Sequence, residues 1–147
     1  MPLNFDKFTK KLQNEIFQKD IEEYNKKIVN LFYNPKNWGR PPKKEITVFE
    51  ERRNGPKRYF LGLYLKIENN SIIKANFITD GCGVMVAIGS QLTLLIKGKT
   101  LEFANNLKPE DISNALMGIP PNEEHCTDLA INTLRKTIKK YKHEKKF

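Results

Sequence analysis

The chemistry available to this chain gathers on two cysteines and one histidine, set in two short and well-marked contexts. Cys82 lies between two glycines, Gly81-Cys82-Gly83, where a strand-like run gives way to an apolar, helix-like one. Glycines at such a place let the backbone turn tightly and approach a ligand closely. A sulfur just ahead of a helix meets unpaired N–H groups and the positive end of the dipole, which favour thiolate over thiol. Thiolate is the form that ligates metals and enters persulfide chemistry. His125-Cys126 follows Pro120-Pro121-Asn122-Glu123-Glu124 and opens the last helix-like segment. Imidazole and thiolate side by side suit zinc or an iron–sulfur cluster. Each pattern alone is weak. Gly-Cys-Gly also describes a buried turn cysteine, and His-Cys a surface histidine beside a core cysteine. The other histidine, His143, falls in a Lys-rich tail and reads as solvated.

Those residues need elements to hold them. Phe5, Phe8, Leu12 and Ile16 recur at helical spacing, which predicts an extra N-terminal helix within residues 1–20. Ile21, Tyr24, Ile28, Leu31 and Phe32 predict a second helix, stopped at Asn34-Pro35. The loop 34–42 follows, rich in Asn, Gly and Pro. Ile46, Val48 and Glu50 alternate as a short first strand, and residues 59–67 as a second. In that second strand Leu61, Leu63, Leu65 and Ile67 share one face, with Gly62, Tyr64 and Lys66 on the other. Residues 72–79 form a third, with turns at Asn54-Gly55-Pro56 and Asn69-Asn70. An apolar helix over 84–97 stops at Gly98, and a short one covers 109–116. The last begins near Glu123 with Ala130, Leu134, Ile138 and Tyr141 as its stripe. The expected fold is α+β, a three-stranded antiparallel sheet with helices packed on one face. One domain spans 1–147, with 141–147 as a basic, frayed tail.

Composition narrows the classes. Lys and Arg number 26 against 17 Asp and Glu, but seven of the basic residues lie between Arg135 and Lys146. That reads as a solvated helix end favoured by the macrodipole. No nucleic-acid motif accompanies the charge, and aromatic side chains are not interleaved with it, so nucleic-acid binding is disfavoured. No apolar run is long enough for a membrane span, and no secretory signal opens the chain. Two cysteines are too few for a disulfide framework and fit a reduced cytoplasm. There is no triad-like grouping and no phosphate loop, so the expectation is a protein that is not an enzyme.

The chain resembles the iron–sulfur cluster assembly scaffolds of the NifU N-terminal and IscU type. Residues 24–39 look like the family's opening helix and its Asn-Pro-Arg-Asn-x-Gly loop. Ile96-Lys97-Gly98-Lys99-Thr100-Leu101-Glu102 matches a closing phrase almost word for word, after a strand, Gly-Cys turn and helix in family order. Ile119-Pro120-Pro121, His125-Cys126 and a helix ending Lys-Tyr-Lys match the last segment. The likeness runs from about residue 20 to 143. It implies a site holding iron or a transient cluster of the [2Fe–2S] type, with zinc as a substitute occupant. It implies a cysteine desulfurase as sulfur donor and apo-proteins as recipients. Cys82 falls at the family's second cysteine, Cys126 at the third and His125 at the histidine.

The first cysteine is missing. The family's Ala-Cys-Gly-Asp places Lys57 at the cysteine and Tyr59 at the aspartate. A charged ammonium repels a metal, although beside a thiolate it lowers the thiol pKa. Where members served by a dedicated Hsp70 chaperone carry Leu-Pro-Pro-Val-Lys, this chain has Ile-Pro-Pro-Asn-Glu, which argues against that chaperone. Two readings remain. In the first, Cys82, His125 and Cys126 hold iron or a cluster, with a fourth ligand from a partner, an exogenous thiol, water or the second subunit of a homodimer. In the second, a homologue that no longer assembles clusters binds zinc, iron or a desulfurase as a regulatory module.

Overall fold

Helix α1 (Lys26–Tyr33) begins where a polar side chain can replace missing backbone partners. Asn25 Oδ1 accepts the Ile28 N–H at 2.9 Å, and its Nδ2 donates to the Leu116 and Gly118 carbonyls at 2.8 and 3.0 Å. Ile28, Val29 and Leu31 are buried, and the helix ends at Tyr33, just before Asn34-Pro35. The computed structural model describes residues 25–145. The helix expected within residues 1–20 lies outside them.

The sheet is a meander, β1 (Val48–Asn54), β2 (Tyr59–Glu68) and β3 (Ser71–Thr79), antiparallel throughout in the order β1-β2-β3. Asn69 and Asn70, with φ of 51° and 61°, make the two-residue hairpin between β2 and β3. Strand β1 starts and ends later than its apolar residues suggest. Its second half, Glu-Glu-Arg-Arg-Asn, has no hydrophobic alternation and is held by backbone pairing with β2, from Val48 opposite Leu65 to Asn54 opposite Tyr59.

Leu61, Leu63, Leu65 and Ile67 face the helical layer, as the alternation requires, and are buried. Against them lie α2 (Gly83–Ile96) and α5 (Glu124–Glu144), with α3 (Leu101–Asn105) and α4 (Pro109–Ala115) filling the ends. Among the described residues this is the predicted α+β layering. Helix α3 escapes the periodicity reading because it is one turn long; Thr100 caps it by accepting the Phe103 N–H at 3.1 Å. Ala130, Leu134 and Ile138 of α5 are buried, and α5 stays helical to Glu144.

The opposite sheet face is not open at its centre. Tyr64 is only 1% exposed. Its ring stacks with Phe49 at 5.9 Å, and the Arg40 guanidinium sits 5.6 Å from both ring centres. The loop carrying Arg40 also pairs with the free edge of β3. Gly39 N–H donates to the Phe77 carbonyl at 2.8 Å, and Phe77 N–H to that of Asn37 at 3.1 Å. No helix among the described residues is long and apolar enough to cross a membrane.

Candidate metal centre

The two chemical contexts of the sequence meet at one end of this layer. Cys82 is the N-cap of α2, with φ −70° and ψ 177°. Neither flanking glycine has a positive φ. They serve close packing instead: a Cβ on Gly81 would lie 2.8 Å from Met85, and one on Gly83 would lie 2.5 Å from the Phe32 ring. The close approach expected of them is therefore to the protein's own side chains.

The turn is clasped to the start of β2 from below. Asp80 Oδ1 accepts the Phe60 N–H at 2.7 Å, and Oδ2 pairs with Arg53 Nη2 at 2.8 Å. The Phe60 amide first, and then Arg53, hold the Asp80 carboxyl below the usual range. Thr79 Oγ1 donates to the Phe60 carbonyl and accepts the Gly81 N–H. Tyr59, the first residue of β2, is thereby fixed beside Cys82.

The other half comes from the start of α5. Pro120 breaks the chain and Pro121–Glu123 forms one 3-10 turn. That turn buries Glu123 to 6% exposure while Glu124 stays exposed. Cys126, one helical turn on, is fully buried in the core beside Leu129 and Ala130.

The donor atoms converge. Cys126 Sγ lies 3.5 Å from His125 Nε2 and 3.5 Å from Glu123 Oε2. Glu123 Oε2 is 3.9 Å from Cys82 Sγ and 4.0 Å from His125 Nε2. The structure thus brings together all three predicted ligands, Cys82, His125 and Cys126. It adds Glu123, which the sequence reading passed over. Glu123, His125 and Cys126 offer one ligand atom each, all within 4.8 Å of one another.

The altered positions border this cluster. Lys57 Nζ pairs with Glu123 Oε1 at 3.4 Å, so its ion-pair partner is a carboxylate and not a thiolate. The Tyr59 ring lies tilted at 6.1 Å from the His125 ring, and its hydroxyl faces Cys82. His143 is far off, 18 residues further along α5, or roughly 27 Å at 1.5 Å per residue.

The two sulfurs divide one proton unequally. The neighbouring Cys126 thiol lowers the Cys82 pKa to about 5, helped by the Met85 amide and the Tyr59 hydroxyl against burial and the Glu123 charge. The Cys82 sulfur makes no cap hydrogen bond, so the Met85 amide acts on it as a dipole. Cys126 is pushed strongly the other way, by the Cys82 sulfur first and by burial second. At neutral pH Cys82 is the thiolate and Cys126 keeps its proton. Cys82 alkylation by iodoacetamide is therefore expected to change less than about twofold between pH 6 and pH 8. An ordinary thiol gains roughly a hundredfold over that interval. Peptide mapping of the modified chain measures it, and a hundredfold rise at Cys82 contradicts the assignment.

Comparison with known proteins bears on the family and the fold. The NifU-like N terminal domain family matches residues 23–147. The iron–sulfur cluster assembly scaffold protein IscU of Aquifex aeolicus is 36% identical over 128 residues, covering 81% of this chain and 76% of that protein. The Drosophila melanogaster relative, called an iron–sulfur cluster assembly enzyme, is 35% identical over 121 residues, covering 81% and 78%. A crystal structure of a putative iron–sulfur cluster assembly scaffold protein for the SUF system from Fervidobacterium islandicum superposes with a TM-score of 0.63 at 19% identity. It covers 80% of this chain and 98% of that one, a likeness of fold. With its three-stranded meander, helical layer and Gly-Cys and His-Cys turns brought to one end, this chain belongs to the NifU-like N-terminal domain family.

Proposed function

We propose that this chain is an iron–sulfur cluster assembly scaffold or carrier, with Cys82, His125 and Cys126 as the protein ligands of its cargo. The observation that carries the reading is the convergence of Cys126 Sγ, His125 Nε2 and Cys82 Sγ on one carboxylate oxygen, at distances of 3.5, 4.0 and 3.9 Å. Sulfur and imidazole nitrogen are the donors that iron–sulfur clusters, ferrous ion and zinc share, so the residues present fit the cargo. The cargo is a transient [2Fe–2S] cluster or iron, with zinc as a substitute. A half-buried thiolate at Cys82 suits it to receive sulfur from the persulfide of a cysteine desulfurase, one thiolate leaving as the new S–S bond forms. Recipient apo-proteins in the cytoplasm would take the finished cluster. The acidic Glu123-Glu124 after Pro120-Pro121 argues against docking to a dedicated Hsp70 chaperone. The protein's part is binding and transfer, which makes it a scaffold and not an enzyme.

A second reading is favoured by Lys57. A cation stands where the family has a ligand, and it already neutralises the buried carboxylate. On that reading the chain binds zinc or a desulfurase without building clusters. Anaerobic reconstitution with iron, sulfide and a cysteine desulfurase decides between them. The scaffold reading expects a visible cluster spectrum with equal iron and sulfide per chain. Tight zinc with no cluster, or no metal, leaves only the second reading.

A further inference from the structure

We propose that Glu123 is the oxygen ligand of this site and that Lys57 is the cation that stands in for the metal when no metal is bound. The proposal rests on the reading of the cluster as a metal site, and adds the residue that completes it. A tetrahedral ion with sulfur at about 2.3 Å and nitrogen or oxygen at about 2.1 Å spaces its ligand atoms by roughly 3.3–3.8 Å. The separations, 3.5 Å for Cys126 to His125 and 3.5, 3.9 and 4.0 Å from Glu123 Oε2 to Cys126, Cys82 and His125, are close to those edges. Glu123, His125 and Cys126 already stand at spacings that suit one ion of the zinc or ferrous class, and Cys82, 3.9 Å from Glu123 Oε2, joins them by a side-chain adjustment.

The two carboxylate oxygens of Glu123 are used differently. Oε2 faces the sulfurs and the imidazole, whereas Oε1 faces Lys57 Nζ at 3.4 Å. A carboxylate exposed to only 6% is costly unless a cation or ion offsets it. Lys57 supplies that charge from an exposed turn, so its side chain can return to water at little cost. A divalent ion entering the site neutralises the same carboxylate and repels the ammonium. Lys57 therefore competes with the ion and does not hold it. The oxygen ligand then comes from the entrance of α5 and not from the start of β2, where Tyr59 stands.

Opposite responses of two variants test this, with Zn²⁺ alone as the probe in competition with a chromophoric chelator. Glu123→Gln keeps shape and removes the charge, and is expected to weaken Zn²⁺ binding by at least about tenfold. Lys57→Gln is expected to strengthen it several-fold, more so at low ionic strength. Co²⁺ absorption gives a second readout, since loss of a ligand changes the four-coordinate visible bands. Unchanged affinity and bands in Glu123→Gln overturn the ligand assignment. Weakened binding in both variants makes the pair a merely structural contact and overturns it as well. If Zn²⁺ still binds the native chain one to one through Cys82 in either case, the scaffold reading survives. A native chain that binds no Zn²⁺ and no Co²⁺ sinks both.

Discussion

Replacing Cys82 by alanine is expected to abolish cluster formation and to lower affinity for zinc or ferrous ion by at least about 100-fold. Removing an outer partner of a metal ligand already costs 10–100-fold, and a ligand lost outright costs at least the upper end of that range. Cys82 is the cleaner of the two cysteines to change. It is half-buried at a helix cap, whereas Cys126 is fully buried, so Cys126→Ala mixes ligand loss with a core defect. His143→Ala is the control. Its side chain is exposed on the last turn of α5, roughly 27 Å along the helix from His125, and binding should be unchanged. Isothermal titration with zinc and iron-to-sulfide counts after reconstitution provide the measurement. Native affinity in Cys82→Ala would falsify the shared site, because Cys82 Sγ lies within 4 Å of the carboxylate oxygen that also faces Cys126 and His125.

Much of this arrangement is legible in the sequence where the physics is periodic. Leu61, Leu63, Leu65 and Ile67 alternate because one face of β2 is buried, and Ala130, Leu134 and Ile138 repeat because one face of α5 is. The cap at Cys82 and the entrance at His125 follow from Gly and Pro punctuation. Legibility fails where a residue's environment is made by distant chain. Tyr64 lies on the polar side of its strand by pattern and is buried because Arg40 and Phe49 come from elsewhere to cover it. The polar half of β1 carries no signal of its own, since its pairing is backbone hydrogen bonding.

Glu123 is the instructive omission. In Pro-Pro-Asn-Glu-Glu it reads as part of a solvated turn, and nothing local says which of two adjacent carboxylates points inward. A 3-10 turn decides it, burying Glu123 and leaving Glu124 exposed. Two signals were nonetheless present. Glu123 precedes Cys126 by three residues, which places both on one helical face. It also stands where the family's Leu-Pro-Pro-Val-Lys has a lysine, while Lys57 stands where the family has a cysteine. Taken separately these are two losses, but the salt bridge between them makes them one exchange. The register that places Lys57 there is supported by Arg58. It falls at the glycine of Ala-Cys-Gly-Asp and still takes a positive φ of 55°, a conformation glycine adopts freely.

That exchange changes what restoring the family's ligands should do. Lys57→Cys with Tyr59→Asp rebuilds the first cysteine and the aspartate, and is expected to raise cluster yield in reconstitution. The same double change removes a positive charge and adds a negative one beside Glu123 and the Cys82 thiolate. Glu123, buried and without its cation, then faces like charges. The metal-free double variant should therefore melt below the native chain and regain that loss when iron or zinc is added, because only protein that is folded binds the ion. Adding Glu123→Lys reverses the local charge by two units and restores the family's lysine. The triple variant should keep the gain in cluster yield without the metal-free instability. Calorimetric melting with and without zinc, alongside iron and sulfide counts, separates the two contributions. A double variant with native cluster yield would show that the β1–β2 turn does not limit assembly. A double variant as stable as the native chain without metal would show that Glu123 does not depend on Lys57 for its charge.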